Sequence, residues 1–413
     1  MTCCRLRPRR WWGGLLVVAS LAVACSREIP LAEQAETHLR RGDIARAVAL
    51  VEKATRDRPA EPAVQDLRVR VLVKAERADA ALDAYAQRWG NGGTDSPVVF
   101  REVAVALLQA GLRAQDAFLR TRAAAALAAW HAPDLLPLFG EALTHPEASV
   151  RALGAEGLGR VPGDASGALL RGALGDQQPE VRAAAASALV GRPDPETRAV
   201  LRPALADPSP LVRMRAAATL ATRGEPDAAD CLVRLLSDRS DSVRMQSAEA
   251  VGHLGMRDTA PALRALLDDA NPYVRVYAAE ALVRLGVPEA RQVLVRGLSH
   301  ANATVRLYAA EALSNLGDAA GSQRLMEALG PDRDSSVRLY AVWTLARLHD
   351  PRGLPVLEEL RRHPDAEVRT QAVWTLGELQ DGAGLAGLRG SVLDVAPPVR
   401  WQAAWSLVRG MGP

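Results

Sequence analysis

Lysine is almost missing from this chain of 413 residues: Lys53 and Lys74 are the only two among 51 basic residues, and all the others are arginine. Aromatics make up 4% of the chain, and cysteine occurs four times, as Cys3, Cys4, Cys25 and Cys231. Catalytic signatures are missing as well. None of the seven histidines is followed by glutamate, and there is no CxxCH for haem, no HExxH, no phosphate-cradling glycine loop and no nucleophile elbow. This exclusion points to a non-enzyme with no cofactor and no metal site.

What is present begins at the N-terminus. Arg5, Arg7, Arg9 and Arg10 precede an apolar run from Trp11 to Val23, which is too short and wrongly flanked to span a membrane and has the layout of a secretory signal. Ala22-Val23-Ala24-Cys25 resembles a bacterial lipoprotein processing box, although its leucine, Leu21, stands one place earlier than usual. The resemblance implies a signal peptide over 1–24 and a lipid on Cys25. With Ser26 following the cysteine, it also implies an outer-membrane anchor facing the periplasm. Removing 1–24 takes away four arginines and leaves 47 basic residues against 48 acidic ones. No basic surplus then remains to argue for nucleic acid. Cys231 would be the sole cysteine inside the folded part, and it is expected to be a small core residue rather than half of a disulfide.

The body of the chain is periodic. Arg120, Arg151, Arg182, Arg213, Arg244, Arg275, Arg306, Arg338, Arg369 and Arg400 follow one another at 31 residues, with a single interval of 32. Around Arg275 and Arg306 the runs Val274–Leu282 and Val305–Leu313 place apolar residues three and four apart, the spacing of a helix with one buried stripe. A second apolar position in phase with the arginines (Phe139, Leu170, Leu201, Leu232, Leu263, Leu294, Leu325, Leu357, Leu388) marks a second helix, so each unit reads as a helical hairpin. Asp207-Pro208-Ser209-Pro210 and Asn271-Pro272 supply the turns and start the Val-Arg helices. The extra residue of the long interval falls in Gly330–Ser336, a loop that can absorb it. Ten units at this period predict a solenoid.

The Val-Arg pair, the Ala-Ala-x-Ala-Leu run after it and an acidic residue six positions before the arginine resemble the HEAT repeats, in the short bacterial form named after phycocyanobilin lyases. The acidic position holds Asp176, Asp207, Asp238, Asp269, Asp332 and Asp394, with His145, His300 and His363 in three units. The resemblance covers about 97–413 and implies an all-α, right-handed solenoid of ten hairpins with the Val-Arg helices on its concave side. Charges repeated in register suggest a structural ladder in which each arginine pairs with an aspartate of its own or a neighbouring unit: Asp207, Arg213, Asp238, Arg244, Asp269 and Arg275. Before the repeats, Gly42–Ala54 resembles the second helix of a tetratricopeptide repeat. Ala47 and Val51 recur as Ala81 and Tyr85, 34 residues on, with Glu76 in the place of Gly42. The expected organisation is a tetratricopeptide-like segment over 25–89, a linker over 90–96 and the solenoid over 97–413.

At about 100° per residue, positions one, five and eight after each arginine point away from the core. They include Met214, Met245, Val276, Leu307, Leu339, Trp343, Trp374, Trp401, Trp405 and Val408, all of them apolar. The fifth position changes from Glu249, Glu280 and Glu311 to Trp343, Trp374 and Trp405. These six residues, with Leu339 and Trp401, form the expected partner-binding stripe on the concave face: an apolar strip continued by an acidic row, suited to a protein or peptide partner in the cell envelope. Tyr277, Tyr308 and Tyr340 are expected to pack between units. The overall reading is an extended interaction scaffold on the order of 90 Å long. The alternative is a receptor for a glycan or pigment on the tryptophans.

Overall fold

The computed structural model describes residues 30–90, 96–130, 132–379 and 382–410. The signal segment, Cys25 and the linker residues 91–95 lie outside the described residues. The described chain is helical, with no strand. Its first four helices are α1 (Leu31–Arg40), α2 (Ile44–Asp57), α3 (Pro62–Lys74) and α4 (Ala78–Gly90). Gly42 and Glu76, both at positive φ (78° and 57°), turn the chain between the helices of each pair. Ala47, Val51, Ala81 and Tyr85 are all fully buried.

Ten hairpins follow, each with an outer helix and an inner Val-Arg helix. They are α5 (Pro97–Leu112) with α6 (Ala117–Ala129), α7 (Leu136–Leu143) with α8 (Ala148–Leu158), α9 (Asp164–Ala173) with α10 (Pro179–Ala188), and α11 (Pro195–Ala204) with α12 (Pro210–Ala221). Then come α13 (Pro226–Leu235) with α14 (Asp241–His253), α15 (Ala260–Ala265) with α16 (Pro272–Arg284), and α17 (Arg291–Gly297) with α18 (Ala303–Asn315). The last are α19 (Ala319–Glu327) with α20 (Ser335–Arg347), α21 (Leu354–Leu360) with α22 (Ala366–Leu379), and α23 (Gly382–Ser391) with α24 (Pro397–Gly410). Proline opens α10, α12, α16 and α24, where its fixed φ suits the first turn and its missing N–H has no helical acceptor to lose. Cys231 is buried in α13, and burial pushes its thiol pKa up.

Each inner helix packs on the next from α6 to α24, and α24 then returns to pack against α5 and α6. The solenoid is therefore a closed ring, which corrects the expectation of an open rod. Its 90 Å becomes a circumference. Ten inner helices at about 8 to 10 Å spacing, each about 10 Å thick, leave a central passage on the order of 20 Å across.

The seam is built from large side chains. Trp405 and Trp401 of α24 are 1% and 6% exposed. A methyl group at Gly111 of α5 would meet the Ala123 methyl of α6 at 2.6 Å, so glycine lets α5 and α6 pack closely there, and both indoles lie on that spot at van der Waals distance, 3.5 Å from where the methyl would be. Trp130 Nε1–H donates to the Trp405 carbonyl at 3.1 Å, and Trp401 Nε1–H donates to Asp79 of α4 at 2.7 Å. Arg400 of α24 pairs with Asp83 of α4. The helical pair α3 and α4 packs on α5, and α4 thereby forms one rim of the seam. A single core runs from Val69 to Val408, with Ala35, Ala47, Val51 and Val71 as a small satellite.

Candidate functional site

The arginine ladder lies along one edge of the inner helices. Arg151, Arg182, Arg244 and Arg369 each make two bonds of 2.8 to 3.0 Å to Asp176, Asp207, Asp269 and Asp394 of the next unit. Arg213 and Asp238 approach less closely, at 3.7 Å. Each of these aspartates also accepts the backbone N–H two residues on, and the carbonyls of Asp176, Asp207, Asp238 and Asp269 accept the arginine of their own unit, as in Arg275 Nη1 to Asp269 O at 2.6 Å. The bonds from Arg151 and Arg182 hold the Asp176 and Asp207 carboxyls below their usual pKa.

His145, His300 and His363 take over half of this work. Their Nδ1 atoms accept the N–H two residues on at 3.1 Å, as the aspartates do. An imidazole carries no carboxylate oxygens to bind the preceding arginine, so Arg120 and Arg338 turn to Glu147 and Glu359. Among the described residues, Arg275 and Arg306 bond only to backbone carbonyls. At the inserted residue Asp334, not Asp332, caps the helix, and Arg338 reaches the Leu329 carbonyl instead.

The inner surface differs from expectation in one respect. While Met245 and Leu339 stay half-buried, several residues at positions one and eight after the arginine are covered: Met214, Val276, Leu307 and Val408 are 1 to 5% exposed. The neighbouring Val-Arg helix covers them because inner helices stand side by side in a closed ring. The lumen is lined instead by positions two before and two, five and nine after the arginine, roughly 60° round the helix. Of the predicted stripe, Leu339, Trp343, Trp374, Glu249, Glu280 and Glu311 reach this surface. Trp401 and Trp405 do not, since the seam buries them.

The lumen wall from α16 to α22 carries a continuous chain of aromatic rings. Tyr273 and Tyr277 meet Tyr308 with centroids 5.5 and 6.0 Å apart, Tyr308 meets Tyr340 at 5.5 Å, Tyr340 meets Trp343 at 5.7 Å, and Trp343 and Trp374 lie nearly parallel at 6.4 Å. The tyrosines thus pack between units and line the lumen at once, which the sequence pattern did not reveal. Tyr340 Oη–H donates to Glu311, and burial, followed by that carboxylate, raises its pKa well above the usual phenol range. Burial and the Glu249 charge do the same to Tyr277.

Two clefts open on this wall. One, of about 500 Å³, lies among Glu249, Tyr277, Glu280, Tyr308, Glu311 and Trp343. The acidic row is largely compensated there, because Glu280 pairs with Arg284 and Glu311 with Arg347, each at 2.8 Å. The other, of about 330 Å³, lies between α20 and α22 among Leu339, Tyr340, Trp343, Glu367, Gln371 and Trp374. Such a surface can hold flat or apolar groups and accept hydrogen bonds at its rim. Among the described residues no group of three or more His, Cys, Asp or Glu could hold a metal ion, and no helix is long and apolar enough to cross a membrane.

The sequence model of the HEAT repeats matches residues 104–190, 168–252, 199–271, 260–338 and 322–408, which together span most of the chain. The chain belongs to the HEAT-repeat family. Similar solved structures include the complex of CpcE and CpcF of phycocyanin lyase from Nostoc, with 22% identity over 59% of this chain and 93% of that one, at a TM-score of 0.39. Human deoxyhypusine hydroxylase is also 22% identical, over 59% of this chain and 94% of its own, at a TM-score of 0.32. No curated protein matches the chain in sequence.

Proposed function

We propose that this HEAT ring is a lipoprotein of the bacterial envelope, anchored through Cys25 and facing the periplasm, which holds a segment of a partner protein in its lumen. The aromatic wall from Tyr273 to Trp374 carries the reading. Ring faces remain half-buried there rather than sealed in the core, and exposed aromatic area of this kind is what dominates binding interfaces. The width of the passage limits the occupant. A single helix of about 10 to 12 Å fits and a folded domain does not. The role is binding rather than catalysis, and the partner is a protein rather than nucleic acid.

Affinity capture from native membranes, with parent and Trp374→Ala baits compared, tests the reading. The variant should lose the captured partner at least tenfold while melting within a few degrees of the parent. Equal capture by both baits would sink the luminal assignment. For the anchor, Cys25→Ser should move the protein from the membrane to the soluble fraction or stall it as an uncleaved precursor. Unchanged fractionation with an unchanged N-terminal peptide mass would refute it. A second reading, a glycan or pigment receptor, is favoured by the polar Ser336, Gln371 and Glu367 beside the indoles. It predicts that the captured molecule resists protease treatment.

A further inference from the structure

The cleft between α20 and α22 combines three features. Its walls are two nearly parallel indoles and the ring of Tyr340. Leu339 and Val368 make its sides apolar, and Asp365, Glu367 and Gln371 stand at its rim. Asp365 uses one oxygen to cap α22, through the Glu367 N–H at 2.8 Å. Arg122 of α6 lies within electrostatic reach of Glu367, but no hydrogen bond joins the two, and the Arg122 guanidinium rests on Phe118 with its pKa lowered by burial.

The same wall already shows how it receives a guanidinium. Arg347 lies over the Trp343 ring at 4.7 Å while donating to Glu311 at 2.8 Å, so one planar cation has an aromatic face beneath it and a carboxylate at its edge. Trp374 repeats the ring one unit further on, and Glu367 and Gln371 supply acceptors beside it, but among the described residues no arginine lines the cleft on Trp374 as Arg347 lies on Trp343. Position nine after the arginine, which gives Arg347 in α20, is Glu378 in α22, and Glu378 is engaged by Arg409 at 2.6 Å.

We propose that this cleft receives an arginine side chain from the partner segment, with the guanidinium on the Trp374 indole and Glu367 and Gln371 accepting its N–H groups. The proposal rests on the luminal reading above and gives the bound segment a chemistry. Arginine suits the cleft better than lysine, because a planar, weakly hydrated fork can stack and bond at its edge together, whereas an ammonium is a compact, strongly hydrated point charge.

The test uses the full Cys25→Ser chain labelled with 5-fluorotryptophan, with the Trp343 and Trp374 signals assigned by single Trp→Phe variants. Nα-acetyl-arginine methylamide is titrated against its citrulline counterpart, which keeps the shape and loses the charge. The arginine probe should shift the Trp374 signal saturably. Citrulline should bind at least about tenfold more weakly, and Glu367→Gln should weaken the arginine probe about fivefold or more. Equal titration by the two probes, no saturable shift at Trp374, or indifference to Glu367→Gln would each overturn the arginine slot. None of these outcomes touches the luminal reading, which stands or falls on partner capture by the Trp374→Ala bait.

Discussion

Trp374 and Trp405 occupy the same place in consecutive units, 31 residues apart, and their fates are opposite. Trp374 is half-buried on the lumen wall, parallel to Trp343, whereas Trp405 is sealed under α5 and α6 at the seam. The difference does not lie in the helices that carry them. α22 is followed by another unit that packs beside it, while α24 is followed by the start of the same stack. In a ring, what a side chain does is decided by what arrives next to it. The two regions are also held together differently. Along the aromatic wall Arg275 and Arg306 lack a carboxylate across the unit boundary, and ring-to-ring contacts span those boundaries instead. At the seam a tryptophan pair and the Arg400 to Asp83 bridge do the joining.

The sharpest way to break this comparison is to truncate both tryptophans. Trp405→Ala should cost about 3 to 5 kcal/mol, on the scale of core tryptophan truncations, and Trp374→Ala less than about 1 kcal/mol. Chemical denaturation of the two variants side by side measures this, and equal losses would mean that the seam is no more buried than the wall. Next in size is the ladder. Arg244→Ala removes both side-chain bonds to the largely buried Asp269 and should cost about 1 to 3 kcal/mol, whereas Arg275→Ala, whose partners are carbonyls at the turn, should cost clearly less. The order of the two melting temperatures decides between a ladder of carboxylate bridges and a row of turn-binding arginines. The smallest effect is a gain. His349 ends α20 at φ 55°, in the register where Gly255, Gly286 and Gly317 stand at positive φ. His349→Gly should therefore stabilise the ring by up to about 1 kcal/mol, visible as a raised melting temperature without any change at the seam.

Much of the architecture was legible in the chain because a repeat announces itself. The arginine phase, the second apolar position and the prolines at helix starts located the hairpins, and the aspartates at the sixth position before the arginines pointed to the bridges between units. Closure was not legible. The angle between one unit and the next arises from small differences in side-chain volume along every boundary, and no single residue states their sum. Trp401, Trp405 and Gly111 are its traces, yet without curvature the two tryptophans read as members of a surface row. The assignment of faces failed for the same reason. The direction opposite the core was taken as free at Val276 and Leu307, but in a closed stack the neighbouring inner helix covers it. Glu280 and Glu311 look like an open acidic row because their partners stand outside the positions that the repeat pattern singles out: Arg284 one turn further along α16, and Arg347 on the next inner helix, α20.

Closure changes what the number of units means. An open array of this kind can gain or lose a repeat and merely become longer or shorter, since each unit touches only its neighbours. Here ten units share a full turn, about 36° apiece, and the last must meet the first with its two indoles against Gly111 of α5. A duplication or deletion of one repeat would leave every local contact intact and still separate Trp405 from Gly111. Copy number in this gene is thereby tied to a geometric condition that no individual repeat contains.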